Sequence, residues 1–170
     1  MSFSSNAVTG VVPVDVIRPL SGYEFMKALR DGRFPRPPIA NLVDFQLVEV
    51  ELGRAVFAAT PGEEHYNPLG SVHGGYISTL LDSCMGCAVH TRLGPGQGFT
   101  SLEIKVNFVR RVSAETGPMR AEGKVIHLGG QIATAEGRLM DADGRLLAHG
   151  TTTCLIFRLP ERPGEAETAK

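Results

Sequence analysis

Between residues 73 and 90, apolar side chains recur at Ile77, Leu80, Leu81, Cys84, Met85 and Ala88. That is the i, i+3, i+4, i+7, i+8, i+11 spacing of one helical face. The other side of this predicted helix carries Gly75, Ser78, Thr79, Asp82 and Gly86, which are small apart from one carboxylate. Such a face suits a closely approaching partner or ligand. Elsewhere the period is two. Residues 42–51 alternate as a strand, Gly53 turns the chain, and 54–60 form a second strand, so 42–60 predicts a hairpin. Four further strand patterns fall at about 99–111, 117–128, 131–142 and 145–157. They are separated by Thr116-Gly117-Pro118, Gly129-Gly130 and Asp143-Gly144, the last two being typical hairpin dipeptides. The predicted order is a β-hairpin, one long helix and an antiparallel meander, an α+β arrangement. The helix is too apolar to face water, so the sheet must wrap it.

Residues 1–38 read as an extension, because five of the eleven prolines fall there. Within it, Ser21 followed by Glu24 is a capping-box signature that starts a short helix over 21–30. Its Tyr23 and Met26 supply an apolar face, and the extension is expected to pack as a lid on the main domain. That domain spans 39–158, and 159–170 read as a frayed tail. At 170 residues the chain is expected to form one domain able to bury a core without staples.

The net charge of -1 argues against a general nucleic-acid binder, which needs an excess of cations. It leaves room for a local basic patch toward one phosphorylated ligand. Three cysteines, Cys84, Cys87 and Cys154, give no disulfide framework and point to a reducing compartment. No signal-peptide pattern opens the chain and no apolar run approaches a membrane span, so the expectation is a soluble cytoplasmic protein.

The candidate chemistry lies in the loop that opens the long helix: Asn67, then His73-Gly74-Gly75, then Asp82. The first N–H groups of a helix have no internal partner, and the macrodipole favours negative charge there. Gly74 and Gly75 let a ligand oxygen come close to that backbone. The result is a plausible oxyanion hole for a carbonyl in acyl transfer, with the Asn67 amide nearby and Asp82 as general base or nucleophile. Asp82 lies eight residues beyond Gly74, about 12 Å along the axis. Both cannot touch one carbonyl from the same helix. If both act, the site must be built from two chains with antiparallel helices.

The spaced motif Asn67-x-x-Gly70-x-x-His73-Gly74-Gly75, then Thr79-Leu80-Leu81-Asp82, resembles that of hotdog-fold acyl-CoA thioesterases of the phenylacetate-pathway type. The segments 100–111 and 142–153 fit in the same order, so the resemblance covers roughly 40–157. It implies a hotdog fold, an antiparallel sheet wrapped around one central helix, with dimers joined edge to edge and often paired into tetramers. It implies that Gly74 and Asn67 polarise the thioester carbonyl while Asp82 of the neighbouring chain activates water or attacks directly. Thr100, eighteen residues after Asp82, matches a hydroxyl that helps hold the water, and His73 orients the loop. Gly75, Ser101, Gly129, Gly130 and the pair Arg110 and Arg111 are candidates for contacts with substrate or coenzyme A. The arginines suit phosphates, or equally a solvated edge. No metal is implied, and coenzyme A enters only as part of the substrate. Cys84-x-x-Cys87 sits in the helix and reads as packing rather than a metal ligand pair. A hotdog enoyl-CoA hydratase or dehydratase and a non-catalytic acyl-CoA-binding module remain the alternatives. The acyl group is left open.

Overall fold

The computed structural model describes residues 8–160. Six strands form one antiparallel sheet: β1 (Phe45–Glu51), β2 (Arg54–Ala59), β3 (Gln97–Phe108), β4 (Met119–Leu128), β5 (Ile132–Asp141) and β6 (Leu146–Arg158). Their order is β1-β2-β4-β5-β6-β3. The chain therefore crosses from β2, next to one edge, to β3 at the opposite edge of the sheet. The long helix, Gly74–His90, makes that crossing over the concave face.

Three short helices precede the first strand: α1 (Val14–Ile17), α2 (Gly22–Arg30) and α3 (Pro38–Leu42). The long helix is thus α4. Its apolar stripe, Ile77, Leu80, Leu81, Cys84, Met85 and Ala88, is buried throughout. Each larger member contributes roughly 1.5–3 kcal/mol by leaving water. The helix sits unusually close to the strands because glycines lie beneath it. A Cβ at Gly123 on β4 would collide with the Cys84 carbonyl and come within 2.6 Å of the Met85 nitrogen. A Cβ at Gly137 on β5 would lie 2.8 Å from Met85 Cγ. This is the hotdog fold.

The capping box forms as the sequence predicts. Ser21 Oγ accepts from the Glu24 N–H, and Glu24 Oε2 accepts from the Ser21 N–H at 2.9 Å. Helix α2 packs on β1 and α4, burying Met26 and Ala28. Phe25 stacks on His90 with ring centroids 5.4 Å apart, and His90 meets Phe99 of β3 edge-on. The expected strand start at residue 42 is displaced. Pro38 opens α3, where its fixed φ is already helical. Leu42 ends that helix, and Asp44 turns the chain through a positive φ of 49° before β1 begins at Phe45. Alternation from 42 onward could not separate a one-turn helix plus a corner from a strand.

The two sheet edges differ. β1 is covered by α2 and α3. Among the described residues no strand pairs with the outer edge of β3, and Leu102, Ile104 and Phe108 on it are exposed. Among the described residues, no helix is long and apolar enough to cross a membrane.

Candidate active site at the start of the central helix

The loop before α4 is tied from several directions. Tyr66 and Val72 form an isolated antiparallel bridge. The Val72 N–H donates to the Val112 carbonyl at 2.9 Å, and the His73 N–H to the His65 carbonyl at 2.8 Å. Arg111 Nη2 donates to the Gly70 carbonyl at 2.7 Å. Asn67 holds the turn itself. Its Oδ1 accepts from the N–H groups of Leu69 and Ser71, and its Nδ2 donates to Ser71 Oγ at 3.0 Å. One amide hydrogen of Asn67 is left for another acceptor. Arg110 makes only a long 3.5 Å contact to the Leu146 carbonyl.

His73 is the N-cap of α4, with its Nδ1 accepting from the Gly75 N–H at 2.8 Å. The Tyr76 N–H turns back to the His73 carbonyl. Among the described residues nothing accepts from the N–H of Gly74, the first helical residue, which lies at the positive end of the helix. The space beside it is narrowed by one side chain: a Cβ on Gly74 would meet the tip of the exposed Phe108 ring at 3.0 Å. Gly75 differs from Gly74, because its N–H is consumed by the cap.

Asp82 projects from α4 about two turns further on and is exposed. Ser101 Oγ donates to Asp82 Oδ1 at 2.9 Å from β3. Thr100 is the next residue back, opposite Leu155 of β6. Strand alternation turns its side chain away from the face that Ser101 uses. A register shift between Ser101 and Glu103 marks a bulge at this point, a common device for re-aiming a side chain beside a site. Sequence spacing alone could not assign the hydroxyl, because the contact depends on how β3 docks on the helix.

The sequence candidates fall into two groups. Asn67, His73, Gly74, Gly75, Arg110 and Arg111 gather at the start of α4, where the end of β3 meets the loop. Asp82, Ser101 and Thr100 lie further along. Gly129 and Gly130 form the turn into β5 beyond them, since Ile132, Leu155 and Thr100 share one row across β5, β6 and β3. Within one chain the groups stay apart by the length of the helix between them.

Cys84 is buried and Cys87 half-buried, and all three cysteines are free thiols. Burial pushes the Cys87 thiol up to about 12, with the nearby Asp82 charge adding to the effect. It is no thiolate nucleophile. Among the described residues, no group of three or more His, Cys, Asp and Glu is placed to hold a metal ion.

Residues 69–148 match the thioesterase superfamily. A protein of Saccharolobus solfataricus assigned as an esterase is 32% identical over 78% of this chain and 93% of its own length. The chain belongs to the thioesterase superfamily. Within it, the chain is a hotdog thioesterase of the PaaI-like type, and the superfamily gives it hydrolase chemistry. A 1,4-dihydroxy-2-naphthoyl-CoA hydrolase of Listeria monocytogenes is 25% identical over 69% of this chain and 94% of its own. Among solved structures, a Ralstonia eutropha protein assigned as a thioesterase and related to phenylacetic acid degradation superposes with a TM-score of 0.70. It is 25% identical and covers 77% of this thioesterase and 98% of itself. The Escherichia coli PaaI protein superposes equally well, at 0.70, with 18% identity over 82% of this chain and 97% of its own, which speaks to the fold alone.

Proposed function

We propose that the protein hydrolyses acyl-CoA thioesters to a free acid and coenzyme A, at a site completed only by a second copy of the chain. The observation that carries this is the pairing of an unpartnered Gly74 N–H with an exposed, hydroxyl-held Asp82 carboxylate on one helix, too far apart to serve one carbonyl. An antiparallel second helix brings one copy's Asp82 to the other copy's Gly74. The bare β3 edge supports that assembly, because a long unprotected edge with exposed apolar residues invites strand pairing.

The thioester oxygen accepts from the Gly74 N–H and the spare hydrogen of Asn67, where the helix dipole favours the developing charge. Asp82 takes a proton from water as the water adds to the carbonyl carbon. Collapse of the tetrahedral adduct breaks the C–S bond and releases the thiolate of coenzyme A, which is protonated as it leaves. Ser101 fixes the carboxylate through Oδ1, leaving Oδ2 for water. His73 positions Gly74 by capping the helix. Arg110 and Arg111, with the Gly129-Gly130 turn, receive the diphosphate and adenosine part of coenzyme A. The CoA hydrolase among the relatives supports the substrate class, as does a hotdog neighbour from Streptococcus mutans with bound acetyl-CoA. The reaction needs no metal or redox cofactor, and the reduced cysteines suit the cytoplasm, where acyl-CoA is handled.

The test is thiol release from an acyl-CoA panel by the wild type and by Asp82→Asn. Release that falls at least a hundredfold in the variant agrees with the assignment. An Asp82→Asn protein that keeps its full rate on several substrates refutes the role given to Asp82.

A further inference from the structure

A cavity of about 660 Å³ lies between the N-terminal extension, β1 and one face of α4. That is within the size range of small-molecule sites. Most of its wall comes from residues 8–40, outside the stretch that matches the superfamily. Two kinds of surface meet in it. Met26, Leu29, Phe45 and Phe57 form an apolar wall, while Arg30, Arg33 and Arg36 line the side made by the end of α2 and the segment after it. Ser83 lines it from α4. Ser83 directly follows Asp82, about 100° round the helix, so the cavity opens on the face beside the proposed base.

Among the described residues, the three arginines pair with two carboxylates, Asp31 and Asp44. Asp31 is taken up by Arg30, whose Nε and Nη2 both donate to Oδ1, at 2.8 and 2.7 Å. Arg33 reaches the other Asp31 oxygen only at 3.8 Å. Asp44 lies 3.5 Å from Arg36. Lys27 adds a further positive charge beside Asp31. Glu24, the other carboxylate of α2, is held by the Ser21 cap at the opposite end of that helix. The wall therefore keeps positive charge in excess. Arg36 also gives it a direction. Its Nη2 donates to the carbonyls of Ala40 and Phe45 at 2.7 and 2.6 Å, which fixes the guanidinium, and its Nε is buried without a hydrogen-bond partner. A buried unpaired donor is costly, and a charged acceptor relieves that cost better than a neutral one.

We infer that this cavity selects acyl groups that end in a carboxylate, with the apolar chain against Met26, Leu29, Phe45 and Phe57 and the terminal carboxylate bound by Arg33 and Arg36. The inference rests on the thioesterase reading above and adds the substrate class, the coenzyme A monothioester of a dicarboxylic acid. The thioester carbonyl stays at Asp82 while the chain runs past Ser83 toward the arginines. Water adds at the thioester carbon alone. The products are the dicarboxylate and free coenzyme A, and the terminal carboxylate is left unchanged.

The experiment compares kcat/KM for succinyl-, adipyl- and suberyl-CoA with that for butyryl-, hexanoyl- and octanoyl-CoA, their methyl-ended counterparts of equal length. It does so in the wild type, Arg33→Gln, Arg33→Lys and Arg36→Lys, with a thermal melt of each. At the length that spans the cavity, the wild type is expected to prefer the carboxylate by roughly tenfold or more, the worth of a charge-assisted hydrogen bond. An apolar pocket with no cation to offer gives the opposite order, because a carboxylate resists leaving water. Arg33→Gln lowers the best ratio by roughly tenfold, whereas Arg33→Lys, which keeps the charge, retains most of it. Arg36→Lys, which keeps a cation for Asp44 but has no Nε–H, also lowers it. Arg33 is largely exposed, so its variants should fold, and they decide the matter alone should Arg36→Lys fail to fold. Methyl-ended esters cleaved as well as the carboxylate-ended ones at every length, or a ratio indifferent to Arg33, overturn the cavity assignment and leave the thioesterase reading standing. No thiol release from any of the esters overturns both.

Discussion

Replacing Gly74 by proline isolates one atom of the proposed mechanism. Proline at the first position of a helix is well tolerated, since the lost N–H has no intrahelical partner and φ is already suitable. The preceding residue must be extended, and His73 is, at φ −62° and ψ 136°. The added Cβ meets Phe108 Cζ at 3.0 Å, but that ring is exposed and can swing aside. The fold should therefore lose about 0.5 kcal/mol or less. Catalysis should lose much more. Deleting one oxyanion donor costs about 2.7–4 kcal/mol of transition-state stabilisation, a fall in kcat of roughly a hundred- to a thousandfold. Because the donor acts on charge that develops only in the transition state, KM should move little. Steady-state thiol release, with a thermal melt as control, reads both quantities. A folded Gly74→Pro protein within tenfold of the wild-type kcat would mean that the N–H does not bind the oxyanion.

Three other outcomes follow from the geometry. Ser101→Ala removes the hydroxyl on Asp82 Oδ1 and should lower kcat by roughly tenfold at unchanged melting temperature. Thr100→Ala, which makes no such bond, should cost less, and the reverse ranking contradicts the assignment. Gly123→Ala pushes a Cβ into the α4 backbone at Cys84 and Met85 and should destabilise the protein by about 3 kcal/mol, read by urea unfolding, because backbone cannot move aside. His90, enclosed by Phe25 and Phe99, is held down to about 4 by burial. In the unfolded chain it protonates near its ordinary value, so below that value the unfolded state binds the extra proton. The contribution is complete above about pH 6.5 and is lost as pH falls toward 4, by about 2 kcal/mol allowing for partial exposure. The pH dependence of unfolding in His90→Gln should be flatter across that window by this amount; an unchanged slope sinks the attribution.

The apolar stripe from Ile77 to Ala88 was legible because a helix buried on one face must repeat that way. The Gly53 and Asp143-Gly144 turns were legible because a positive φ selects the residue: they sit at φ 79° and, for Gly144, 78°. Ser21 and Glu24 were legible because a capping box is local. The parts that were not legible are non-local. Ser101 reaches Asp82 across nineteen residues of chain, a contact set by the docking of β3 and by its bulge. The Leu42 alternation hid a helix because two prolines and an Asp44 corner interrupt a pattern that composition alone continues. The apolar residues of α2 predicted packing, but not that Phe25 would stack on His90 of α4.

The central claim is that one active site takes Gly74 from one chain and Asp82 from another. Two differently tagged variants, Gly74→Pro and Asp82→Asn, test it directly when co-expressed and purified through both tags. Each variant alone is expected to be nearly silent. The mixed dimer contains one site with both substitutions and one site with neither, so it should recover about half of the wild-type rate. A mixed dimer as inactive as its two parents would contradict the shared site.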